Sequence, residues 1–304
     1  MGAGMAGATA ARRLAEAGQP LRVFDKGRGV GGRMATRRSD AMQFDHGAQF
    51  MRAHGTVYAA RLADWERRGI VAPWAGAGRW VGVPDMTAPV RDLLVGIPVA
   101  SGTTITGIRR DSASWHLTDG AGADHGPFTA LAITFPAPQT VALLATAGII
   151  LPDIERATYA PCWSVMVAVD RAPAEVLTEP HEGPIGLMAL DSSKPGRPPG
   201  FRLTVHAKPD WSRIHLEEPR EAIVSTLTQA AAACLGTPLR FSDAEAHRWR
   251  FAQVETMLGK PCQYDPGLRL GAAGDWCLGP RIEAAHDSGL ALAEAILADL
   301  GAPA

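Results

Sequence analysis

The chain has 304 residues, 46% of them hydrophobic and 20% charged, with a formal net charge of −1. These values describe one or two globular domains able to bury a sizeable core. A near-neutral chain has no bulk attraction to nucleic acid or to an acidic membrane surface, and no apolar run approaches the roughly 18 residues of a membrane span. Cys162, Cys234, Cys262 and Cys277 form no C-x-x-C pair and have no zinc-like His spacing. Free buried thiols, and no metal site, are therefore expected. Met1 leads into glycines rather than into a basic stretch and an apolar core. No secretory signal is expected, and the expected place is the cytoplasm.

The chain opens on Gly2-Ala3-Gly4-Met5-Ala6-Gly7, a G-x-G-x-x-G. An Ala-rich helix is expected over 8–18, then a short buried strand over 21–25 that ends on Asp25. Glycine turn, helix, strand and acid is the dinucleotide-binding order. Gly2 permits the turn, Gly4 a close approach to pyrophosphate, and Gly7 tight helix–sheet packing. The helix end offers free N–H groups to phosphate. Asp25 stands 18 residues beyond Gly7, near the roughly 20 of an acid that takes ribose hydroxyls. The fingerprint ordinarily follows a strand, and no residues precede it here. The expectation is a missing first strand and a natural start upstream of Met1.

Residues 26–34 hold four glycines beside Arg28 and Arg33. Glycine allows close approach and arginine supplies forked donors, so this loop suits phosphate. Phe44-Asp45-His46-Gly47-Ala48-Gln49-Phe50 then mixes an aromatic, an acid, an imidazole and an amide around a glycine. Leu62 and Trp65 predict a helix over 57–69. Residues 70–86, with Trp74, Trp80 and several turn residues, read as strands and turns opening a second domain. A helix over 87–94 is expected to be capped by Thr87, with Pro89 in its first turn. Residues 99–134 alternate like hairpins around Asp119-Gly120. A buried strand over 130–135 and a helix over 139–147 follow.

Strands are expected over 162–169, 201–207 and 244–252, with 179–200 read as a Pro-, Gly- and Ser-rich loop and 219–235 as a helix. In the last of these strands His247, Trp249 and Phe251 share one face and Arg248 and Arg250 the other. Trp163, His206, Trp211 and Trp249 fall on or beside these strands, and could either fill a sheet core or roof a flat ligand. A strand over 268–275 ends at Gly274-Asp275, and an amphipathic helix covers 282–300.

The glycine fingerprint, Asp25 and Gly31-Gly32-Arg33 together resemble the flavoprotein amine-oxidase superfamily. DKGRGVGGRMATRR with FDHGAQF, WVGVPDM, HAKPDWS, AHRWR and GDWCLG is similar to its bacterial renalase-like members, over essentially the whole chain. The resemblance implies an α/β fold. A Rossmann-like FAD-binding domain, apparently without its first strand, would comprise 1–68, 99–150 and 263–304. A β-sheet substrate domain would be inserted as 69–98 and 151–262. It implies FAD held by Gly2, Gly4, Ala6, Gly7, Asp25, Lys26, Gly32, Arg33, Gln49, Phe50, Ile105 (near the adenine), Asp275 (at the ribityl chain) and Ile282. His46, Trp163, Trp211 and Trp249 would line the substrate, and His206 is the candidate catalytic residue.

The implied reaction is oxidation of a 2- or 6-dihydro-NAD(P) isomer, with O2 as the final acceptor and H2O2 as a product. Such a donor needs no general base, consistent with a sequence that shows no triad or paired carboxylates. The partners expected are that dinucleotide and O2, with no nucleic acid, membrane or obligate protein partner. The alternatives are a flavin-dependent amine oxidase and a non-catalytic flavin-binding protein.

Overall fold

The structure, a computed structural model, describes residues 1–38, 42–236 and 240–301. Its first third runs α1 (Met5–Glu16), β1 (Val23–Phe24), β2 (Thr36–Arg38), β3 (Gln43–Asp45), α2 (Thr56–Arg67), β4 (Val71–Pro73), β5 (Trp80–Gly82), α3 (Ala88–Leu93) and β6 (Val99–Ala100). An antiparallel meander of β7 (Ile105–Arg110), β8 (Trp115–Asp119) and β9 (Asp124–Phe128) precedes β10 (Leu131–Ile133) and α4 (Ala137–Ala145). The remainder is β11 (Thr158–Val169), β12 (Leu177–Thr178), β13 (Ile185–Leu190), β14 (Arg202–Ala207), α5 (Pro209–Ile214), α6 (Arg220–Leu235), β15 (Phe241–Thr256), β16 (Gln263–Asp265), β17 (Leu270–Ala272) and α7 (Ile282–Leu300).

The two chain ends meet in one layered unit. β1 pairs in parallel with β6, and β10 in parallel with β17. Residues 1–3 lie between these pairs. Gly2 N–H donates to the Phe24 carbonyl at 2.7 Å, and Thr134 N–H to the Met1 carbonyl at 2.9 Å. α1 and α7 pack together beside this sheet. A Cβ at Gly289 would stand 2.1 Å from the Ala6 carbonyl oxygen, so the helices cross in near backbone contact, which only glycine permits. Phe24, Ile133 and Leu270 share a second core cluster with Ile105 and Trp115 of the meander. A sheet covered on both faces explains why its strands are short apolar runs without alternation.

The middle of the chain forms an antiparallel sheet in the order β12-β13-β14-β11-β15. Alternation sorts its faces. Val165, Val167, Leu203 and Val205 pack with Ile223, Leu227 and Ala231 of α6. α6 stops at Gly236, whose φ of 61° is the left-handed C-cap that glycine takes without strain. The opposite face carries Ser164, aligned with both His206 and His247, and lies against residues 45–49.

Two local expectations are corrected. The presumed loop 179–200 contains β13, an inner strand paired on both sides. Its run Ile-Gly-Leu-Met-Ala-Leu is buried on both faces and has no period-two signal, and its prolines, serines and remaining glycines sit in the flanks. Thr87 occupies the N-cap position of α3 but makes no cap bond with its side chain. Its hydroxyl instead accepts from Thr36 N–H at 3.1 Å and donates to the Met34 carbonyl at 3.3 Å, tying α3 to the glycine loop.

Candidate functional site

The turn 1–7 and the loop 25–34 form one cradle. Gly2 has φ 96°, and a Cβ there would meet Thr134 Oγ1 at 2.6 Å. A Cβ on Gly7 would meet the Gly2 carbonyl oxygen at 1.9 Å. The protein itself therefore demands these two glycines. Gly4 is different: its φ of −83° suits any residue, and a Cβ would find only Gly31 O and Gly32 Cα, both at 4.0 Å. That Cβ would project into the gap between the two glycine turns, the place a ligand would fill. Gly31 N–H donates to the Ala3 carbonyl at 2.8 Å and fixes the gap. Asp25 accepts from Ala3 N–H at 2.5 Å and Gly27 N–H at 2.6 Å, one bond on each oxygen, leaving lone pairs for hydroxyls.

Within α1 the amide of Ala8 bonds to Gly4, so the N–H groups of Met5, Ala6 and Gly7 have no intrahelical partner. They give the cradle its donors and partial positive charge. Lys26 and Arg28 are exposed on the loop. Ile105 is buried in the cluster that includes Phe24, next to Asp25 in sequence.

Arg33 joins the cradle to the far end of the chain. Its guanidinium forms a two-pronged pair with Asp275, at 2.7 and 2.6 Å. Burial opposes the guanidinium's charge, but Asp275 more than offsets it, so its pKa is raised. The Arg33 carbonyl accepts from Ala48 N–H at 2.9 Å, and a Cβ on Gly47 would stand 2.0 Å from that carbonyl oxygen. Asp275 and the segment containing Gln49 thus lie on either side of one residue. Ile282, the first residue of α7, packs on the core cluster that includes Met34. Glu283 beside it is buried and accepts from His54 N–H and Gly55 N–H, at 3.0 and 2.6 Å.

Beneath Gln49 lies a buried ionic cluster that the sequence reading did not single out. Lys194 Nζ, fully buried, donates to Gln49 Oε1 at 2.9 Å, Asp191 Oδ1 at 2.6 Å and Asp45 Oδ2 at 3.2 Å. Arg197 also holds Asp45. Burial raises the Asp45 pKa, but the Lys194 and Arg197 charges and a hydrogen bond from Thr36 outweigh it, holding the group well below the usual carboxylate range. For Asp191 burial wins over Lys194 and the pKa is raised. Its Oδ2 is buried without a partner. Gln49 Nε2 donates to the carbonyls of Asp45, at 2.6 Å, and Gly47, at 2.9 Å, so both ends of the amide are fixed. Asp45 was legible as an acid in FDHGAQF. Lys194 and Arg197 sit in the presumed loop, where nothing distinguished them from surface cations.

The sheet closes over this strip with aromatic rings. His46 lies 4.8 Å from His247 and 5.0 Å from Trp249, ring centre to ring centre. Trp249 Nε1–H donates to the His46 carbonyl at 3.0 Å, and His206 Nε2 lies 3.3 Å from the same oxygen. Burial is the main cause that lowers all three imidazoles, His46 to about 3 and His206 and His247 to about 4. They are neutral near pH 7. His46 Nδ1 is buried and has no partner. The structure does not bring Trp163 and Trp211 to this place. Trp163 is 1% exposed in the α6-side core, donating to the His215 carbonyl, and Trp211 stacks on His215 at 4.1 Å. Strand alternation assigns Trp163 to that face, opposite to Ser164. Phe50 lies beyond Gln49 under Arg52 and Arg79, at 5.1 and 5.3 Å.

Residues 1–65 match the family described as the NAD(P)-binding Rossmann-like domain. The whole chain is similar in fold to a solved structure from Exiguobacterium sp. 255-15, provisionally assigned as a protoporphyrinogen oxidase, with a TM-score of 0.76. That match covers 99% of this chain and 98% of the other at 12% sequence identity, a likeness of fold. Among the described residues, no helix is long and apolar enough to cross a membrane.

Proposed function

We propose that the protein is an FAD-dependent oxidoreductase of the renalase-like kind. Its substrate would be a 2- or 6-dihydro-NAD(P) isomer, oxidised to NAD(P)+ with reduction of O2 to H2O2. The observation that carries a dinucleotide cofactor is Gly4, which no contact within the protein requires to be glycine and whose missing side chain leaves the gap between two glycine turns clear. The residues present fit FAD. Unbonded α1 amides and Gly31-Gly32 would hold its pyrophosphate, Asp25 its ribose, Arg33 and Asp275 its ribityl chain, and Gln49 its ring edge. Bound FAD would supply a two-electron acceptor that passes the electrons on to O2.

The protein's own part is orientation and exclusion. Lys194 fixes Gln49, and Arg33 ties the strip carrying it to Asp275. The five-stranded sheet serves as the substrate domain, with His46, His206, His247 and Trp249 as its roof. Neutral imidazoles suit a flat, electron-rich ring and place no cation against the positive pyridinium that forms. A dihydropyridine gives up hydride without prior loss of a proton, so His206 orients and no base is needed.

The test is anaerobic mixing of the purified yellow protein with 2-dihydro-NAD(P), 6-dihydro-NAD(P) and a panel of amines, followed by flavin absorbance. Rapid bleaching by a dihydropyridine and not by amines is expected. Bleaching by amines alone would move the assignment to amine oxidation.

A further inference from the structure

Phe50 carries two guanidiniums that no catalytic or cofactor role accounts for. Met51 and Trp80 exchange backbone hydrogen bonds of 2.7 and 3.0 Å in an antiparallel bridge. That register sets Arg52 opposite Arg79, with Phe50 on their side of the pleat. Both guanidiniums lie over the Phe50 ring, at 5.1 and 5.3 Å. Like charges directly opposite across a strand pair are unfavourable. Among the described residues, neither arginine has a carboxylate within ion-pair distance. Arg79 Nη1 donates to the Ala75 carbonyl at 2.7 Å, while its buried Nε has no partner.

Arg79 also lines an open recess of about 470 Å³, together with Ala75, Glu175, Val176, Leu177 and Glu179. That size lies within the usual span of small-ligand sites. Gly76 and Gly78, at φ 95° and 74°, make the turn that presents Arg79, and Trp74 anchors it through a 2.9 Å hydrogen bond to Ser193 Oγ.

We propose that this recess, with the Arg52–Phe50–Arg79 stack beside it, is a substrate subsite for a nucleoside diphosphate: Arg79 and Arg52 take the diphosphate, and Glu175 and Glu179 take a free ribose diol. Forked guanidinium donors match phosphate oxygens. Carboxylates only accept, so they suit hydroxyls and repel a further phosphate. Arg79 links the recess to Phe50, whose ring it covers at 5.3 Å and which is next to the Gln49 assigned to the flavin ring. A dinucleotide anchored here extends toward that ring, a placement that rests on the flavin assignment. The same chemistry makes the protein prefer an NAD-type over an NADP-type substrate.

The test is calorimetric titration of FAD-saturated protein with ADP-ribose and with its 2′-phosphate, for wild type, Arg79→Gln, Arg52→Gln and Glu179→Gln. Arg52 is exposed, so its variant reports even where Arg79→Gln folds poorly. The expected result is wild-type binding weakened at least tenfold by Arg79→Gln and several-fold by Arg52→Gln. The 2′-phosphate should bind more weakly to wild type, and Glu179→Gln should narrow that gap. No ADP-ribose binding, or binding indifferent to both arginines, overturns the subsite. Tighter binding of the 2′-phosphate overturns the placement of the ribose. A protein that takes up no flavin sinks the cofactor assignment instead. The arginine comparison still reads out in that case, because both residues lie outside the glycine cradle.

Discussion

Lys194→Met offers the sharpest check on the buried cluster. The lysine is fully buried and bonded to Asp45, Asp191 and Gln49. Asp45 keeps Arg197, Thr36 and the Met86 amide after the change. Asp191 keeps no direct cation, and one of its oxygens is already unpartnered. The loss therefore falls chiefly on Asp191, with Gln49 Oε1 also losing its donor. Removing one member of a buried ion pair costs about 3–5 kcal/mol, whereas replacing both by apolar groups is often neutral. Lys194→Met should lose that amount, about 10 °C in Tm for a chain of this class. Lys194→Met/Asp191→Leu should recover most of it.

Urea unfolding at several pH values measures both effects. Asp191 has a raised folded pKa, so the stability linked to it is present below its unfolded value of 3.8 and lost as pH rises through the folded value. Without Lys194 that folded pKa climbs further, and the mutant's deficit should shrink as pH falls. A single mutant costing under about 1 kcal/mol, or a double mutant no better than the single, would refute the assignment of a charged buried pair.

Gly4→Ala should leave Tm within a few degrees of wild type while lowering bound flavin per chain at least tenfold. Gly7→Ala, whose Cβ would sit 1.9 Å from the Gly2 oxygen, should fail to fold stably. Absorbance after desalting separates the two outcomes. Asp275→Asn should weaken FAD at least tenfold by fluorescence titration, because it removes Arg33's carboxylate partner at the ribityl position. The histidine group sets an acid limit. Folded pKa values of about 3 to 4 lie below the ordinary 6.5, so stability is intact above 6.5 and falls as pH drops toward 4. His247→Asn should flatten that fall in a pH series of melting curves, and an unchanged slope would show that the imidazoles do not drive it.

What the sequence disclosed follows from the range of the interactions involved. α1, α2, α6 and α7 were legible because helical periodicity and terminal glycines are local signals. The need for glycine at 7 was equally local, since it arises from Gly2 in the same turn, whereas at Gly2 the positive φ is joined by Thr134, 132 positions away. β13 was hidden because an inner strand buried on both faces shows no alternation. Trp163 and Trp249 look alike as aromatics on strands, and only the pleat separates the α6 side from the histidine side. Lys194 and Arg197 were invisible for a deeper reason. Apart from Asp191, three residues before Lys194, the carboxylate that holds them is Asp45, 149 and 152 positions away, so the sequence around them does not mark them as buried.

That separation also shows how the two halves depend on each other. The strip 43–50 packs through Ala48 and Phe50 on the core that includes Val23 and Met34, and the five-stranded sheet closes on its other side. Arg33 holds it from the cradle side through Ala48, and Lys194, Thr204, His206 and Trp249 hold it from the other. A ligand filling the gap between Gly4 and Gly32 would touch the loop that ends in Arg33, whose carbonyl holds the backbone beside Gln49 through Ala48. Anything that binds the folded form alone stabilises it by about 2.7 kcal/mol at a hundredfold excess over its Kd. Arg33 sits where that gain would be shared, bonded to the strip through Ala48, to Asp275, and to the Ala252 carbonyl of β15 in the five-stranded sheet.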